Sequence, residues 1–192
     1  MKMIRIGILG KIGSGKSYVA NNFGYPVFNA DLEVNKIYKK NTKIFSKLKK
    51  KLPHHIFSFP IKKNEILEAI LANKSNLSKI VKIVHLEVRK KMKIFLKKNK
   101  DKKIVILDIP LLLENKINKK NDVLIFVDST NKNISKRLKK RKNFNPKILK
   151  KFKKIQFAID YKKKQSHFII KNDFTYKSVK KSIKIILDKI NK

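Results

Sequence analysis

Residues 4–17 read Ile-Arg-Ile-Gly-Ile-Leu-Gly-Lys-Ile-Gly-Ser-Gly-Lys-Ser, and this stretch decides the fold of the chain. Its first part, residues 4–9, is largely apolar with almost no alternation, which is typical of a strand covered on both faces of a parallel sheet. Residues 10–17 then fit the pattern G-x-x-x-x-G-K-[ST], and a helical pattern over residues 16–23 follows. Because this motif requires a strand before it and a helix after it, the context predicts a phosphate-binding loop.

The glycine-rich loop also predicts how a nucleoside triphosphate would bind. Glycines let the backbone turn tightly, so that several N–H groups converge on a phosphate at a helix N-terminus. Lys16 would bridge the β- and γ-phosphates, and the Ser17 hydroxyl would bind Mg²⁺. The alternative is a glycine-rich turn with a solvated lysine, but three of only five glycines lie in this loop. We predict that ATP or GTP, with Mg²⁺, is bound by Gly13, Ser14, Gly15, Lys16, Ser17 and Tyr18.

Four more apolar runs extend the predicted sheet, at residues 26–29, 104–109, 123–127 and 168–170. Helical patterns separate them, within residues 32–52 and at 63–72, 77–98, 134–141, 147–164 and 176–190. This alternation predicts a three-layer α/β fold with a parallel five-stranded sheet and right-handed crossovers. No Gly- or Ser-rich linker divides the chain. We therefore predict one P-loop domain over residues 1–192, with a helical insertion at about 32–100.

Composition excludes several classes of protein. The chain has no cysteine, which excludes disulfides, thiolate metal sites and cysteine nucleophiles. No apolar run approaches the roughly 18 residues of a membrane span, so we expect a cytoplasmic protein that does not enter a membrane.

The net charge of +38, from 51 Lys and Arg against 13 Asp and Glu, suggests a polyanion partner. However, the lysines are spread along the whole chain instead of forming one block. Arginine, which specific phosphate and base recognition favours, occurs only at positions 5, 89, 137 and 141. We therefore expect no specific nucleic-acid partner, and only weak, salt-sensitive binding to polyanions.

Two carboxylates stand at predicted strand ends, where ligands bind in open parallel sheets. Phosphoryl transfer needs a group beside the acceptor hydroxyl that takes its proton. Asp31, after the second run, is a candidate for this base, although aspartate is equally common there as a helix N-cap. Asp108, which follows four apolar residues near the end of the third run as in a Walker B strand, is expected near Mg²⁺ or the acceptor, with a turn or capping role as the alternative. Glu114 is a weaker candidate that could also only cap or form an ion pair.

The order and spacing of these motifs resemble the dephospho-coenzyme A kinase family over residues 4–190. The glycine loop, Ala30-Asp31 and the segment from Asp108 to Glu114 match the family in sequence order. His85 stands where the family has a His-Pro pair on its helical insertion. The later matches are Arg137 and Arg141, Gln156 and Lys162, and Asn172 after the fifth run.

The resemblance implies transfer of the ATP γ-phosphoryl group to the ribose 3′-hydroxyl of dephospho-coenzyme A, under a helical lid at about 137–165. It implies that Asp31 takes the hydroxyl proton, and that Arg141 and Lys16 cover the charge of the phosphoryl group. It places Asn172 near the adenine of ATP. The implied acceptor-binding residues are Asp31, His85, Asp108, Pro110, Leu111 and Leu112.

Several residues depart from the family pattern, namely Lys11, Tyr18, Asn29 and Leu86, where Gly, Thr, Asp and Pro are usual, and Ser166-His167, where Ala-Asp is usual. None of these departures removes the lysine, the serine, Asp31 or Arg141. Two rival functions remain open at this stage. One is another small-molecule or nucleoside-phosphate kinase of the same fold, and the other is a basic nucleic-acid-associated protein with a vestigial loop.

Overall fold

The computed structural model describes residues 3–140 and 144–191. Five parallel strands form one sheet in the order β2-β3-β1-β4-β5, so the strand that leads into the glycine loop is central. This is the α/β fold with a parallel five-stranded sheet that the sequence predicts. The strands are β1 (Ile4–Gly10), β2 (Val27–Asn29), β3 (Ile104–Asp108), β4 (Val123–Asp128) and β5 (Phe168–Lys171).

The described residues also form nine helices, four of which lie between β2 and β3, in the stretch predicted to be a helical insertion. The helices are α1 (Lys16–Asn21), α2 (Ala30–Lys40), α3 (Thr42–Lys51), α4 (Lys63–Ala72), α5 (Lys74–Lys98), α6 (Asn131–Lys139), α7 (Pro146–Lys154), α8 (Ile159–Lys164) and α9 (Tyr176–Ile190).

Helices cover both faces of the sheet. On one face, β-branched side chains of the strands pack against α1 and α9 in a cluster that includes Ile6, Ile8, Val19, Val179 and Ile183. On the other face the strands present Gly7 and Phe126. A Cβ added to Gly7 would lie 2.6 Å from the Leu112 side chain, so Leu112 packs directly onto the strand there. The Lys163 ammonium group of α8 lies 5.6 Å from the centre of the Phe126 ring on this face.

The chain divides into two compact units, which we describe separately. The first contains the sheet and comprises residues 1–29, 99–145 and 152–192. The second comprises residues 30–98 and 146–151, which include α2 to α5 and the start of α7. Within it, the Lys151 ammonium group donates to the carbonyl oxygens of Ile70 and Leu71 at the C-terminal end of α4. That use of a lysine satisfies carbonyls that the helix itself leaves unpaired.

The prediction of one helix over residues 147–164 is wrong, because the chain leaves the helix after Lys154 and re-enters it at Ile159. The Phe157 N–H donates to a Glu114 carboxylate oxygen at 2.9 Å. The carboxylate therefore replaces a helical backbone acceptor at the break. Periodicity alone cannot reveal a break whose acceptor comes from a residue 43 positions earlier in the chain.

A buried ion pair joins Arg5 in β1 to Asp122, the residue directly before β4. The Arg5 guanidinium contacts the Asp122 carboxylate at 3.0 Å, and both side chains are almost fully buried. Burial raises the pKa of the Asp122 carboxyl group above its usual value. The hydrogen bond from the Lys119 N–H and the Arg5 charge both lower this pKa, but burial has the larger effect. A buried charge that loses its partner is costly, whereas replacement of both charges is often nearly neutral.

We therefore expect Arg5→Met to lower the free energy of unfolding by about 3–5 kcal/mol at neutral pH. The double variant Arg5→Met/Asp122→Asn should recover most of that loss, because the new asparagine side chain would still accept from the Lys119 N–H. A raised pKa in the folded state means that the penalty shrinks as the pH falls and Asp122 becomes protonated. Urea unfolding at neutral and acidic pH measures both effects. Equal stability of the single and double variants would contradict this account.

Candidate active site

The glycine loop joins β1 to α1 with the geometry of an anion-binding turn. Gly10, Gly13 and Gly15 all have positive φ, at 149°, 86° and 89°. The last of these is in the left-handed conformation directly before the first residue of α1, Lys16. The α1 N–H groups therefore point into the loop, where a phosphate would lie.

Lys16 and Ser17 begin α1 at the open side of this loop. The Lys16 ammonium group donates to the carbonyl oxygens of Gly10 at 3.2 Å and Lys11 at 2.9 Å. The lysine is therefore folded back across the loop, ready to extend toward an anion. Ser17 is exposed in the first turn of α1.

Two buried polar side chains, those of Asn172 and Ser129, contact the backbone of the glycine loop. The Asn172 side chain donates to the Ser14 carbonyl oxygen at 2.8 Å, and the Ser129 hydroxyl lies 3.1 Å from that same oxygen and 2.7 Å from the Asn172 carbonyl oxygen. Asn172 is also the acceptor for the Phe174 N–H. Its amide thus fixes the conformation of the phosphate loop, whereas its predicted position near adenine stays a prediction.

The carboxylate at the end of β3 is buried. Asp108 is only 3% exposed, and the Asn29 side-chain amide donates to it at 2.6 Å from the end of β2. The family usually has aspartate where this chain has Asn29. An aspartate there would put a second carboxylate beside Asp108, and the asparagine amide avoids that repulsion. The structure therefore gives Asn29 a partner of its own at the carboxyl edge of the sheet.

The turn after β3 combines one strained residue with one core residue. Leu111 has a φ of 59°, an uncommon conformation for a residue with a side chain. Leu112 is buried against Gly7, and this packing accounts for it without any ligand. The predicted acceptor contacts of Pro110, Leu111 and Leu112 stay predictions.

Two further acceptor-binding candidates lie in the second unit. Asp31 is exposed in the first turn of α2, which begins at Ala30, so it lies inside the helix and not at the N-cap. A carboxylate in a first turn is stabilised by the helix dipole. His85 is half-buried on α5, and burial, followed by the nearby Arg89 charge, lowers its pKa. Both roles stay predictions.

The remaining predicted residues have different environments. Tyr18 is half-buried on α1 and packs against the core cluster. The exposed Arg137 guanidinium lies 4.2 Å from the centre of the Phe174 ring, so it forms a cation–π contact in this structure. Arg141 lies outside the described residues. Nucleotide binding by Tyr18 and phosphoryl binding by Arg141 stay predictions.

Sequence reasoning missed one pair beside the loop. The Lys162 ammonium group of α8 contacts the Glu114 carboxylate at 2.7 Å. Of the roles considered for Glu114, the ion pair is confirmed. Both residues line a cavity of about 10 Å³ together with Gly10, Lys16 and Gln156. The family-like spacing of Gln156 and Lys162 was the available sequence signal for this pair. It was hard to recognise because Lys162 is one of 51 basic residues in the chain.

The loop fits a nucleotide and the protein's share of a Mg²⁺ site. A Cβ at Gly10, Gly13 or Gly15 would lie only 2.3–3.0 Å from neighbouring protein atoms, so the loop needs glycine there to adopt this conformation. The buried Ser14 hydroxyl has no hydrogen-bond partner among the described residues. No group of three or more His, Asp or Glu side chains in the described ranges could hold a metal ion. Mg²⁺ in kinases needs only one or two protein oxygens besides phosphate and water, and Ser17 can supply one.

The conformation of Gly15 yields a testable prediction. An alanine Cβ there would lie 2.3 Å from the Asn172 amide nitrogen and 2.7 Å from the Phe174 ring, in addition to the strain of a φ of 89°. Gly24→Ala is the matched control, because Gly24 has a φ of 73° and nothing within 4 Å of the added carbon. We expect the control to lose about 1–2 kcal/mol of unfolding free energy, and Gly15→Ala to lose more and to bind ATP poorly. Urea unfolding and calorimetric ATP titration measure these effects. Equal losses of unfolding free energy in the two variants would contradict the predicted clash of the added carbon with Asn172 and Phe174.

These features define a P-loop kinase: a parallel sheet in the order 2-3-1-4-5, a glycine loop with its lysine, and a buried carboxylate at the end of β3, the strand next to β1. The model of the dephospho-CoA kinase family matches residues 4–178. The chain belongs to this family, and it is therefore an ATP-dependent kinase.

Curated relatives agree over nearly the whole chain. The dephospho-CoA kinase of Wolbachia pipientis wMel is 34% identical over 191 residues, which cover 97% of both proteins. That of Bartonella henselae is 32% identical over 170 residues, covering 86% of this chain and 87% of the relative.

Solved structures share the fold. A Thermus thermophilus protein, TT1252, aligns with a TM-score of 0.79 at 23% identity over 99% of each chain. Dephospho-CoA kinase from Campylobacter jejuni aligns with a TM-score of 0.61 at 23% identity, over 97% of this chain and 96% of the other. Among the described helices, none combines the length and apolarity that crossing a bilayer requires.

Proposed function

We propose that this chain transfers the γ-phosphoryl group of MgATP to the ribose 3′-hydroxyl of dephospho-coenzyme A, with coenzyme A and ADP as products. The observation that carries the proposal is the phosphate loop with Lys16 folded across it, in a chain that matches this kinase family over residues 4–178. Because the phosphoryl donor is ATP, we place the reaction in the cytoplasm.

In the proposed reaction the bond between the γ-phosphorus and the β–γ bridging oxygen breaks, and a bond forms from the 3′-oxygen to the γ-phosphorus. The protein's share is mainly positioning and electrostatic stabilisation. The α1 N–H groups and Lys16 would cover the charge on the phosphates, and Arg141 is proposed to add a second cation. Ser17 would help to hold Mg²⁺, which when bound neutralises charge on the β- and γ-phosphates.

Asp31 is the proposed base. Its exposure in the first turn of α2 supports this role, since an acceptor hydroxyl can reach an exposed carboxylate. The proton of the 3′-hydroxyl would pass to Asp31 as the new bond forms. Asp108 would line the acceptor side of the loop, held by the Asn29 amide.

His85 is proposed to contact the acceptor as a neutral imidazole. Burial and the Arg89 charge lower its pKa, which favours the uncharged ring. A neutral imidazole both donates and accepts a hydrogen bond, which suits recognition of a nucleotide.

The test is ADP release by the purified protein with MgATP, in the presence and absence of dephospho-coenzyme A. The proposal predicts release that depends on the acceptor. If ATP binds but the rate of ADP release is the same with and without dephospho-coenzyme A, the acceptor assignment fails. A panel of nucleosides and nucleoside monophosphates then tests the rival function, a kinase of the same fold with another acceptor.

The net charge of +38 does not change this proposal. We propose no specific nucleic-acid partner, and we expect only binding to polyanions that weakens steeply with salt.

A further inference from the structure

Helix α8 carries two adjacent lysines, each paired with a carboxylate from a different strand. Lys162 contacts Glu114, which follows β3, and Lys163 contacts Asp128 at the end of β4, both at 2.7 Å. Strand β1 lies between β3 and β4 in the sheet. The two ion pairs therefore stand on either side of the strand that leads into the phosphate loop.

These two ion pairs differ sharply in burial. The side chains of Lys162 and Glu114 are 6% and 8% exposed, whereas those of Lys163 and Asp128 are 35% and 28% exposed. A buried ion pair pays a desolvation cost that its attraction often fails to recover. Since the more exposed pair already attaches α8 to the sheet, attachment alone does not explain the buried one.

The buried pair lies beside the loop lysine. Lys16 and Lys162 both line the cavity of about 10 Å³ next to Gly10, with Glu114 and Gln156 in its wall. This volume holds about one water molecule. One Glu114 oxygen accepts from Lys162 and from the Phe157 N–H, while the other is buried with no hydrogen-bond partner in the described part of the chain.

We propose that Lys162 is a second catalytic lysine whose ammonium group contacts the γ-phosphoryl together with Lys16, and that Glu114 is the residue that positions it. The inference rests on the proposed phosphoryl transfer. Lys162 forms no covalent bond and exchanges no proton; it covers negative charge while the phosphorus–oxygen bonds exchange as described above.

The two lysines are held in equivalent ways. Lys16 donates to two loop carbonyl oxygens and Lys162 to a carboxylate, so contacts with neighbouring acceptors hold both ammonium groups folded back. The cavity is too small for a phosphoryl group, and contact therefore requires Lys162 to extend away from Glu114. The four-carbon lysine side chain allows this movement, and a positive charge beside the transferring phosphoryl group stabilises the negative charge on it.

The test is the preference of the protein for MgATP over MgADP, measured by calorimetry, together with kcat. The main variant is Lys162→Met/Glu114→Gln, which removes both buried charges and leaves neither unpaired. Lys163→Met/Asp128→Asn is the matched control, since it removes the neighbouring pair from the same helix. Thermal unfolding confirms that each variant is folded.

We expect the main variant to lose about 10- to 100-fold of its preference for ATP over ADP, with ADP affinity nearly unchanged. Its kcat should fall on the order of 10²-fold. The control should stay within about fivefold of the wild type in both. Glu114→Gln alone, which keeps the ammonium group but removes its carboxylate partner, should show an intermediate loss. If the main variant does not fold, Lys162→Gln/Glu114→Gln carries the test with the same readouts, because it replaces both buried charges by neutral groups that can still hydrogen-bond to each other.

An unchanged preference for ATP over ADP in the folded variant would overturn the proposal and leave the pair as an anchor of α8. The outcome is distinct from failure of the proposed function. If the wild type shows no ADP release that depends on dephospho-coenzyme A, the acceptor is wrong, yet the comparison of ATP with ADP still decides whether Lys162 contacts the γ-phosphoryl.

Discussion

Asp31→Asn is expected to reduce dephospho-coenzyme A-dependent ADP release about 10²- to 10⁴-fold, because asparagine cannot take the proton of the 3′-hydroxyl. The loss should appear in kcat, with the affinities for ATP and for the acceptor nearly unchanged. Steady-state kinetics with both substrates varied measures this separation.

The fold should tolerate this substitution. Asp31 is exposed in the first turn of α2, where loss of a negative charge costs about 0.3–1 kcal/mol. Glu33→Gln is the matched control, because Glu33 lies in the same turn and pairs with Lys36 at the surface. We expect the control to retain its rate. Activity of Asp31→Asn within a few-fold of the wild type would remove Asp31 from the role of base while leaving the enzyme assignment intact.

Lys16→Met is expected to reduce kcat by at least about 10²-fold, because one ammonium group that covers the transferring phosphoryl is lost. ATP affinity should fall as well, since Lys16 is proposed to bridge the β- and γ-phosphates and methionine cannot. The measurement is kcat at saturating ATP together with calorimetric titration of MgATP.

Lys11→Met is the control for the net charge. Each variant lowers the charge of the chain by one, but the Lys11 ammonium group contacts Asn131 at 3.1 Å on the exposed side of the loop. We expect this variant to stay within a few-fold of the wild type. Equal losses in both variants would mean that the overall positive charge, and not the position of Lys16, attracts ATP.

The fold could be predicted from the sequence because its signals are local. Each strand of the sheet is a short, largely apolar run, and the glycine loop fixes which strand leads into α1. Strand ends differ from the predicted ends by at most one residue, as for β3, which ends at Asp108. The helices of the second unit also follow from periodicity, with α4 at the predicted bounds.

The parts that could not be predicted depend on contacts between distant residues. The break between α7 and α8 uses the Glu114 carboxylate as an acceptor, and the Asn172 amide binds a carbonyl oxygen 158 positions away. Neither contact leaves a periodic signal. Lys162 was hard to single out for a different reason: its type is the commonest in the chain, and the burial that separates it from solvated surface lysines is visible only in the structure.

The central claim is that the phosphoryl group goes to the 3′-hydroxyl of dephospho-coenzyme A. Its most direct test is identification of the product after incubation with MgATP, by mass spectrometry and phosphorus NMR. The account predicts a product that has gained one phosphoryl group, carried as a 3′-phosphomonoester, in equal amount to the ADP formed. Unchanged acceptor alongside accumulating ADP, or a phosphoryl group at another position, would contradict it.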